Sequence, residues 1–251
     1  MYKNLYLFDV DGTLTESGKR VSIETAKLLN KLKQNNEIGV VGGGKYSKIL
    51  EQFTDKKTNE TLVNFNYYFS ECGCVLHINN KVIYEKNIRE HKLYSNINIL
   101  IKLALKYLSE VDYELSGHFI DLRTGIIYIS LVGLTANDKE REIFMKLDKK
   151  NEYRKKLLEI LQNKALELDI YNKLYIVYGG SVGIAIYPNE YDKKQVMNFI
   201  DNNKYKEIHY FGDKYEKDGN DYGLLNHEYV IGHKIYNIND INSILDFIIK
   251  K

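Results

Sequence analysis

Apolar and polar positions fall into three blocks along the chain. In the first, short unbroken apolar runs alternate with amphipathic stretches. Residues 5–10, Leu-Tyr-Leu-Phe-Asp-Val, run apolar into a loop at Gly12, the pattern of a buried strand. Over residues 22–34, Ile23, Ala26, Leu28, Leu29 and Leu32 recur at the spacing of one helix face, and Ser22 is placed to cap its start. Residues 38–41 form a second apolar strand, stopped by Gly42-Gly43-Gly44; residues 46–53 read as a helix and 67–69 as a third strand. Apolar strands separated by helices predict a parallel sheet covered on both faces.

The middle block has a different rhythm. Pairs of alternating segments flank Asn79-Asn80, Thr124-Gly125 and Gly179-Gly180, each a hairpin signal, and helical spacing recurs over 97–108, 138–145 and 152–168. That predicts α+β structure with antiparallel strands. After Pro188 the first rhythm returns: a helix over 193–200, a strand over 207–211 ending at Gly212-Asp213, a short strand over 229–231 and a helix over 241–249. The expected fold class is therefore α/β. A Rossmann-like core with a parallel sheet, residues 1–81 and 188–251, is interrupted by an inserted α+β domain with an antiparallel sheet, residues 82–187.

Composition narrows the function classes. Among 251 residues, 36 Lys and Arg offset 34 Asp and Glu, for a net charge of +2, so no basic excess supports nucleic-acid binding. No run of 18 apolar residues exists, which argues against a membrane partner, and the first residues lack a secretory pattern. Cys72 and Cys74, the two cysteines, are expected as reduced thiols in a cytoplasmic protein. The six histidines show no metal-ligand spacing.

The chemistry concentrates in carboxylates at strand ends. Asp9 and Asp11 follow the first strand and Asp213 follows the strand at 207–211. Open parallel sheets bind ligands beyond the carboxyl ends of their strands, so remote segments can deliver these groups to one cleft. Clustered carboxylates repel, and a hard divalent cation, Mg²⁺ first, relieves that repulsion. Asp9 and Asp11 can also divide labour, one as an ionised nucleophile and the other as a proton carrier. Gly12 permits a tight turn, Thr13 supplies a hydroxyl, and Lys193 or Lys194 can set an ammonium beside a phosphoryl group.

The segment Leu7-Phe8-Asp9-Val10-Asp11-Gly12-Thr13-Leu14-Thr15 resembles the haloacid dehalogenase superfamily of phosphotransferases. The whole chain is similar to that superfamily's eukaryotic-type phosphomannomutases. The likeness continues through Ile38-Gly39-Val40-Val41-Gly42-Gly43, Phe119-Ile120-Asp121-Leu122-Arg123-Thr124-Gly125, Tyr191-Asp192-Lys193, Phe211-Gly212-Asp213-Lys214 and Gly219-Asn220-Asp221. The resemblance implies an interconversion of mannose 6-phosphate and mannose 1-phosphate through an aspartyl phosphate and a hexose 1,6-bisphosphate, which also serves as activator. Asp9 would be the nucleophile, Asp11 the general acid and base, and Lys193 the stabiliser of the transferring group. Asp9, Asp213 and the carbonyl of Asp11 would hold Mg²⁺, with Asn220 and Asp221 supporting the metal loop. Arg20, Gly42, Gly43, Arg123 and Arg141 would bind the substrate, a small sugar phosphate. The insert would be a cap, and the protein a homodimer joined through it.

The chain departs from that family pattern at several positions. Leu134 stands where a third cap arginine is expected, Gly44 replaces a serine, Cys72 an asparagine, and Gly183-Ile184-Ala185 a strand that offers Ser and Asp to the sugar. A sugar-phosphate phosphatase using the same aspartyl phosphate, and a binding protein that keeps the fold without turnover, are the alternatives to a mutase.

Overall fold

The computed structural model describes residues 3–217 and 219–250. In chain order it contains β1 (Leu5–Phe8), α1 (Ile23–Lys33), β2 (Glu37–Val41), α2 (Tyr46–Gln52), β3 (Tyr67–Ser70), β4 (Val75–Ile78), β5 (Lys81–Glu85) and α3 (Tyr94–Leu108). There follow β6 (Ile120–Leu122), β7 (Ile127–Ser130), α4 (Asp138–Asn151), α5 (Tyr153–Glu167), β8 (Leu174–Gly179) and β9 (Gly183–Pro188). The chain ends with β10 (Ile208–Gly212), α6 (Tyr222–Leu225), β11 (Ile231–Lys234) and α7 (Ile241–Ile249). Two compact units result, Met1–Lys86 with Tyr191–Lys251, and Asn87–Glu190. They part a few residues beyond the expected positions because β5 pairs with β4 and stays with the first unit, while β9 runs through Pro188 and stays with the second.

The first unit holds a seven-stranded sheet in the order β11-β10-β1-β2-β3-β4-β5. It is parallel from β11 through β3, while β4 and β5 add antiparallel strands at the edge. Alternation along β1 builds both faces of the core. Tyr6 and Phe8 join Leu29, Ile38, Phe53, Phe211 and Leu245 on one side; Leu5 and Leu7 join Val41, Phe69, Val196, Tyr210 and Leu224 on the other. Phe8 lies opposite both Phe211 and Val40. The chain therefore leaves β1, β2 and β10 at the same edge, with Asp9, Gly42 and Asp213 the first residues beyond or just past it.

Local chemistry explains several boundaries. The Ser22 hydroxyl accepts from the Thr25 amide at 3.0 Å and starts α1. Asn79 and Asn80 both take left-handed backbone, φ +50° and +60°, as a two-residue hairpin between β4 and β5 demands. Two expectations fail. The helix over 193–200 is a run of 3₁₀ turns, Lys193–Phe199, in which Lys193, Gln195, Val196 and Met197 are all buried, a wider arc than one α-helical face offers. The strand expected over 229–231 lies at Ile231–Lys234 instead. There His233 sits opposite Phe211 and stacks on its ring at 4.3 Å, a core role that hydropathy conceals.

Burial, and then the charge of neighbouring His209, lowers the His233 pKa to about 4. Its unfolded value is about 6.5, so between pH 6.5 and 4 the unfolded chain binds the extra proton and stability falls with pH. After discounting for partial exposure this is worth roughly 1 kcal/mol, or about 2–4 °C. Thermal melts from pH 7 to pH 5 should show that fall, and His233→Phe should flatten it.

The second unit is a four-stranded antiparallel sheet, β6-β7-β9-β8. One face presents Ile127, Ile129, Ile176, Ile184 and Ile186, all buried, and α5 packs on β8 and β9 with α3 against it. The other face carries Asp121, Tyr128, Val177 and Ala185 in one cross-strand row. A capping box starts α4: the Asn137 side chain accepts from the Glu140 amide at 3.0 Å, and Glu140 accepts from the Asn137 amide at 2.7 Å. Among the described residues, no helix is long and apolar enough to cross a membrane.

Candidate active site

Strand β1 delivers Asp9, whose amide extends the parallel ladder by donating to the Phe211 carbonyl at 2.8 Å. The chain then turns sharply, and the Val10 carbonyl accepts from the amides of Leu14 and Thr15, both at 3.0 Å. Gly12 sits in the turn at φ +95°, and a Cβ there would lie 2.5 Å from an Asp213 carboxylate oxygen. Glycine is needed twice over, for the backbone and for the close approach of this loop to the end of β10. Gly212 plays a matching part: a Cβ would fall 2.6 Å from Cγ of Asp221.

The centre of the site is a buried lysine between two carboxylates. Lys193 Nζ donates to Asp9 Oδ1 at 2.5 Å and to Asp221 Oδ1 at 2.7 Å. Lys193 and Asp221 are 0% exposed and Asp9 5%. Asp221 Oδ1 also accepts from the Tyr210 hydroxyl, and its Oδ2 accepts from the Lys214 amide at 2.8 Å. Asp213 reaches the Lys214 ammonium with Oδ2, while its Oδ1 is buried without a hydrogen-bond partner. One oxygen each of Asp9, Asp213 and Asp221 falls within 4.8 Å of the others.

Burial dominates the electrostatics, and the neighbours decide its outcome. Burial raises Asp9 well above the usual carboxylate range; Lys193 opposes the rise, and the charges of Asp221 and Asp213 add to it. Burial also pushes Asp221 upward, but Lys193 and the donors Tyr210 and Lys214 outweigh it and hold the carboxyl low. Burial alone would strip the proton from Lys193; Asp221 and Asp9 reverse that and hold its pKa above the usual lysine value. Asp221 and Lys193 therefore form a fixed ion pair, while burial and the neighbouring carboxylates penalise the charge of Asp9.

Thr13 Oγ1, Asp213 Oδ1 and Asn220 Oδ1 are buried side-chain atoms without hydrogen-bond partners, on the loops that follow β1 and β10. Such orphans are uncommon in folded proteins, and these three leave oxygens open to a ligand or a cation. The donor set around Asp9 and Asp213 is all oxygen, which suits a hard divalent cation.

The remaining expected residues are distributed unevenly. Asp11 lies outside the acidic cluster: its Oδ1 accepts from the Gly18 amide at 2.7 Å and from Gln52 Nε2 at 2.9 Å. Gly42 and Gly44 offer their carbonyls to the amides of Cys72 at 2.9 Å and Glu71 at 3.0 Å, which fixes the loop containing Gly43. Glu71 and Cys72 pay for this with left-handed backbone, φ +51° and +57°, the kind of strain that clusters at functional sites. Burial pushes the Cys72 thiol up to about 12, so it is an inert thiol here.

Arg20 is not brought to the cluster. Its guanidinium donates to the carbonyls of Glu51 and Thr54, at 2.6 and 2.5 Å, and closes the end of α2. In the second unit, Arg123 Nε pairs with Asp121 Oδ2 at 2.7 Å and its guanidinium lies 5.1 Å from the Tyr128 ring centroid. Arg141 Nε donates to the Ala136 carbonyl at 2.9 Å and its Nη2 to the Leu134 carbonyl at 3.3 Å.

Three residues of the site escape sequence reasoning. Gln52, 4% exposed, uses one amide to reach Asp11, Thr15 and the Lys19 carbonyl. Tyr210 reads as core, yet its hydroxyl holds Asp221. Gln195 donates to the Cys72 carbonyl at 2.8 Å and so braces the strained turn from the segment that carries Lys193.

The chain is also similar to known proteins. The family model described as eukaryotic phosphomannomutase matches residues 25–251. The chain is 35% identical to a phosphomannomutase of Saccharomyces cerevisiae, over 97% of this chain and 93% of that one. It is 33% identical to a phosphomannomutase of Triticum aestivum, over 94% of this chain and 91% of that one. Among solved structures, a haloacid dehalogenase-like hydrolase from Bacteroides thetaiotaomicron aligns with a TM-score of 0.59 at 12% identity, covering 99% of this chain and 100% of that one, a likeness of fold.

Proposed function

Because the chain belongs to the eukaryotic phosphomannomutase family, we propose that it interconverts hexose 6-phosphates and hexose 1-phosphates, mannose 6-phosphate and mannose 1-phosphate first among them. The route is an aspartyl phosphate and a hexose 1,6-bisphosphate. The observation that carries the reading is Lys193 held between Asp9 and Asp221, with Asp213 beside them.

Each residue then has a task. Asp9, at the end of β1 and held by Lys193, attacks the phosphorus; its oxygen bonds to phosphorus as the bond to the sugar oxygen breaks. Asp11 gives that sugar oxygen a proton, and its Oδ1 is already oriented by Gly18 and Gln52, leaving Oδ2 for the proton. Lys193 has three N–H donors and spends two on Asp9 and Asp221, so one is left for an oxygen of the transferring group. Asp221 keeps the ammonium in place. Asp9, Asp213, the Asp11 carbonyl and Asn220 would hold Mg²⁺, which offsets the charge of carboxylates and phosphoryl oxygens when bound. Gly42 and Gly43 let the backbone approach the phosphoryl group closely. Arg123 and Arg141 hold the distal phosphate while the bisphosphate turns round.

Phosphorus NMR tests the reading with mannose 1-phosphate, Mg²⁺ and a trace of glucose 1,6-bisphosphate as activator. The mannose 6-phosphate signal is expected to grow while inorganic phosphate stays minor. Inorganic phosphate without mannose 6-phosphate contradicts the mutase and leaves the phosphatase reading. The same assay separates the role of Arg141. Losing one charge-assisted contact to phosphate costs about 1.5–3 kcal/mol. Arg141→Ala should therefore slow isomerisation roughly ten- to a hundredfold and hydrolysis much less; equal losses would remove Arg141 from the distal phosphate.

A further inference from the structure

We infer that Lys214 is a built-in competitor for the divalent cation of this site: its ammonium holds Asp213 until a metal takes the carboxylate from it, and so weakens metal binding. The inference rests on the magnesium site of the proposed function and adds a residue that acts against it. Asp213 follows β10 directly and has close neighbours. The backbone of Gly12 approaches so nearly that a Cβ there would meet both carboxylate oxygens, at 2.5 and 2.9 Å. The Lys214 ammonium donates to Oδ2, which leaves the buried Oδ1 as the oxygen without a partner. A cation that shares Asp213 with Asp9 either displaces the ammonium or binds beside it. Both cost metal affinity: the first breaks an ion pair, and the second sets two cations on one carboxylate.

The two lysines of the site are built for different tasks. Lys193 is fully buried between Asp9 and Asp221 and cannot leave without unpairing both. Lys214 is anchored by its backbone and free at its tip. Its amide donates to Asp221 Oδ2 at 2.8 Å, and its carbonyl lies so close to Gly219 that a Cβ there would fall 2.1 Å away. Its side chain is 63% exposed, so the ammonium can swing into water while the loop stays in place. Asp213 first, against partial burial, and then Asp9 and Asp221 hold that ammonium's pKa above the usual lysine value, so it interacts with the whole acidic cluster. Lys193 alone cannot balance three carboxylates, and Lys214 supplies a second positive charge. A hard divalent cation offers the same relief and takes several oxygens at once.

Calorimetric titration of the substrate-free protein with MgCl₂ tests the inference. Lys214→Met removes the charge, keeps most of the stem, and should bind Mg²⁺ about fivefold more tightly than the wild type, the upper end for a partly exposed ion pair. Lys214→Arg keeps the charge and should leave Kd within about twofold of the wild type. Lys217→Met removes an exposed charge from the same loop and should also stay within about twofold. Thermal melts give a second readout. The rise in Tm on adding a fixed amount of MgCl₂ should be larger in Lys214→Met, because ligand-linked stabilisation grows as Kd falls. Lys214→Gln replaces Lys214→Met in both measurements should the latter not fold. Unchanged or weaker Mg²⁺ binding without the Lys214 charge overturns the inference. So does equal tightening in Lys217→Met, which would make Lys214 one surface charge among several. A wild type that binds no Mg²⁺ removes the metal site and this inference with it; bound Mg²⁺ with the same Kd in wild type and Lys214→Met leaves the site standing and sinks the inference alone.

Discussion

Asp9→Asn is expected to abolish turnover, lowering kcat by at least about 10⁴-fold, in a protein that folds as well as the wild type. An amide cannot attack phosphorus to give an aspartyl phosphate, so no step after binding is open to the variant. The fold should survive for the reason that makes Asp9 reactive. Burial penalises its charge and pushes its pKa up, so the carboxylate is held at a cost to stability. Asparagine has nearly the same shape and removes that charge, while Lys193 keeps Asp221 as a partner. Steady-state kinetics beside a thermal melt checks both halves. Full turnover by Asp9→Asn would show that Asp9 is not the nucleophile.

Lys193→Met should have the largest effect on stability. Methionine nearly matches the lysine stem in volume but leaves Asp9 and Asp221 without the cation between them. Removing one partner of a buried ion pair costs about 3–5 kcal/mol, which in a chain of this size lowers Tm by roughly 6–20 °C. The pH dependence identifies the cause. In the wild type the ammonium and its companion donors keep the Asp221 pKa low. In the variant, burial is unopposed by charge and the folded-state pKa rises above the unfolded value. Stability from a raised carboxyl pKa is present at low pH and lost as pH increases, so the variant should be penalised less at pH 5 than at pH 8. A uniform loss across that range would point to packing instead. Lys193→Arg should rescue poorly, because a guanidinium needs more room than a site with 0% exposure provides.

The parallel core was legible because its strands are buried on both faces and so appear as unbroken apolar runs; β1 and β2 are found within a residue or two of where those runs lie. The first loop was legible because Asp9, Asp11 and Gly12 follow such a run directly. The supports of these groups were not. Gln52 is a polar residue on an amphipathic helix, a position that periodicity assigns to solvent; only the packing of α2 turns its amide toward Asp11. Tyr210 has the same local signature as any strand aromatic, and its hydroxyl acquires a task only when Asp221 folds back beneath Gly212. Arg20 is a substrate residue by the family resemblance alone; in the fold its guanidinium donates to the Glu51 and Thr54 carbonyls at the end of α2. The 3₁₀ turns at 193–199 follow from tertiary demands too, since Lys193 and Gln195 must both point inward, toward Asp9 and the Cys72 carbonyl.

The central claim is that the Asp9 carboxylate carries the phosphoryl group between sugar positions. Mass spectrometry of the protein quenched in acid during turnover of a hexose 1,6-bisphosphate with Mg²⁺ tests it most directly. The predicted result is one added phosphoryl group on the peptide containing Asp9, absent from Asp9→Asn treated in the same way. A phosphoryl group on any other residue during turnover would contradict the account, as would turnover without a labelled peptide under conditions that preserve acyl phosphates.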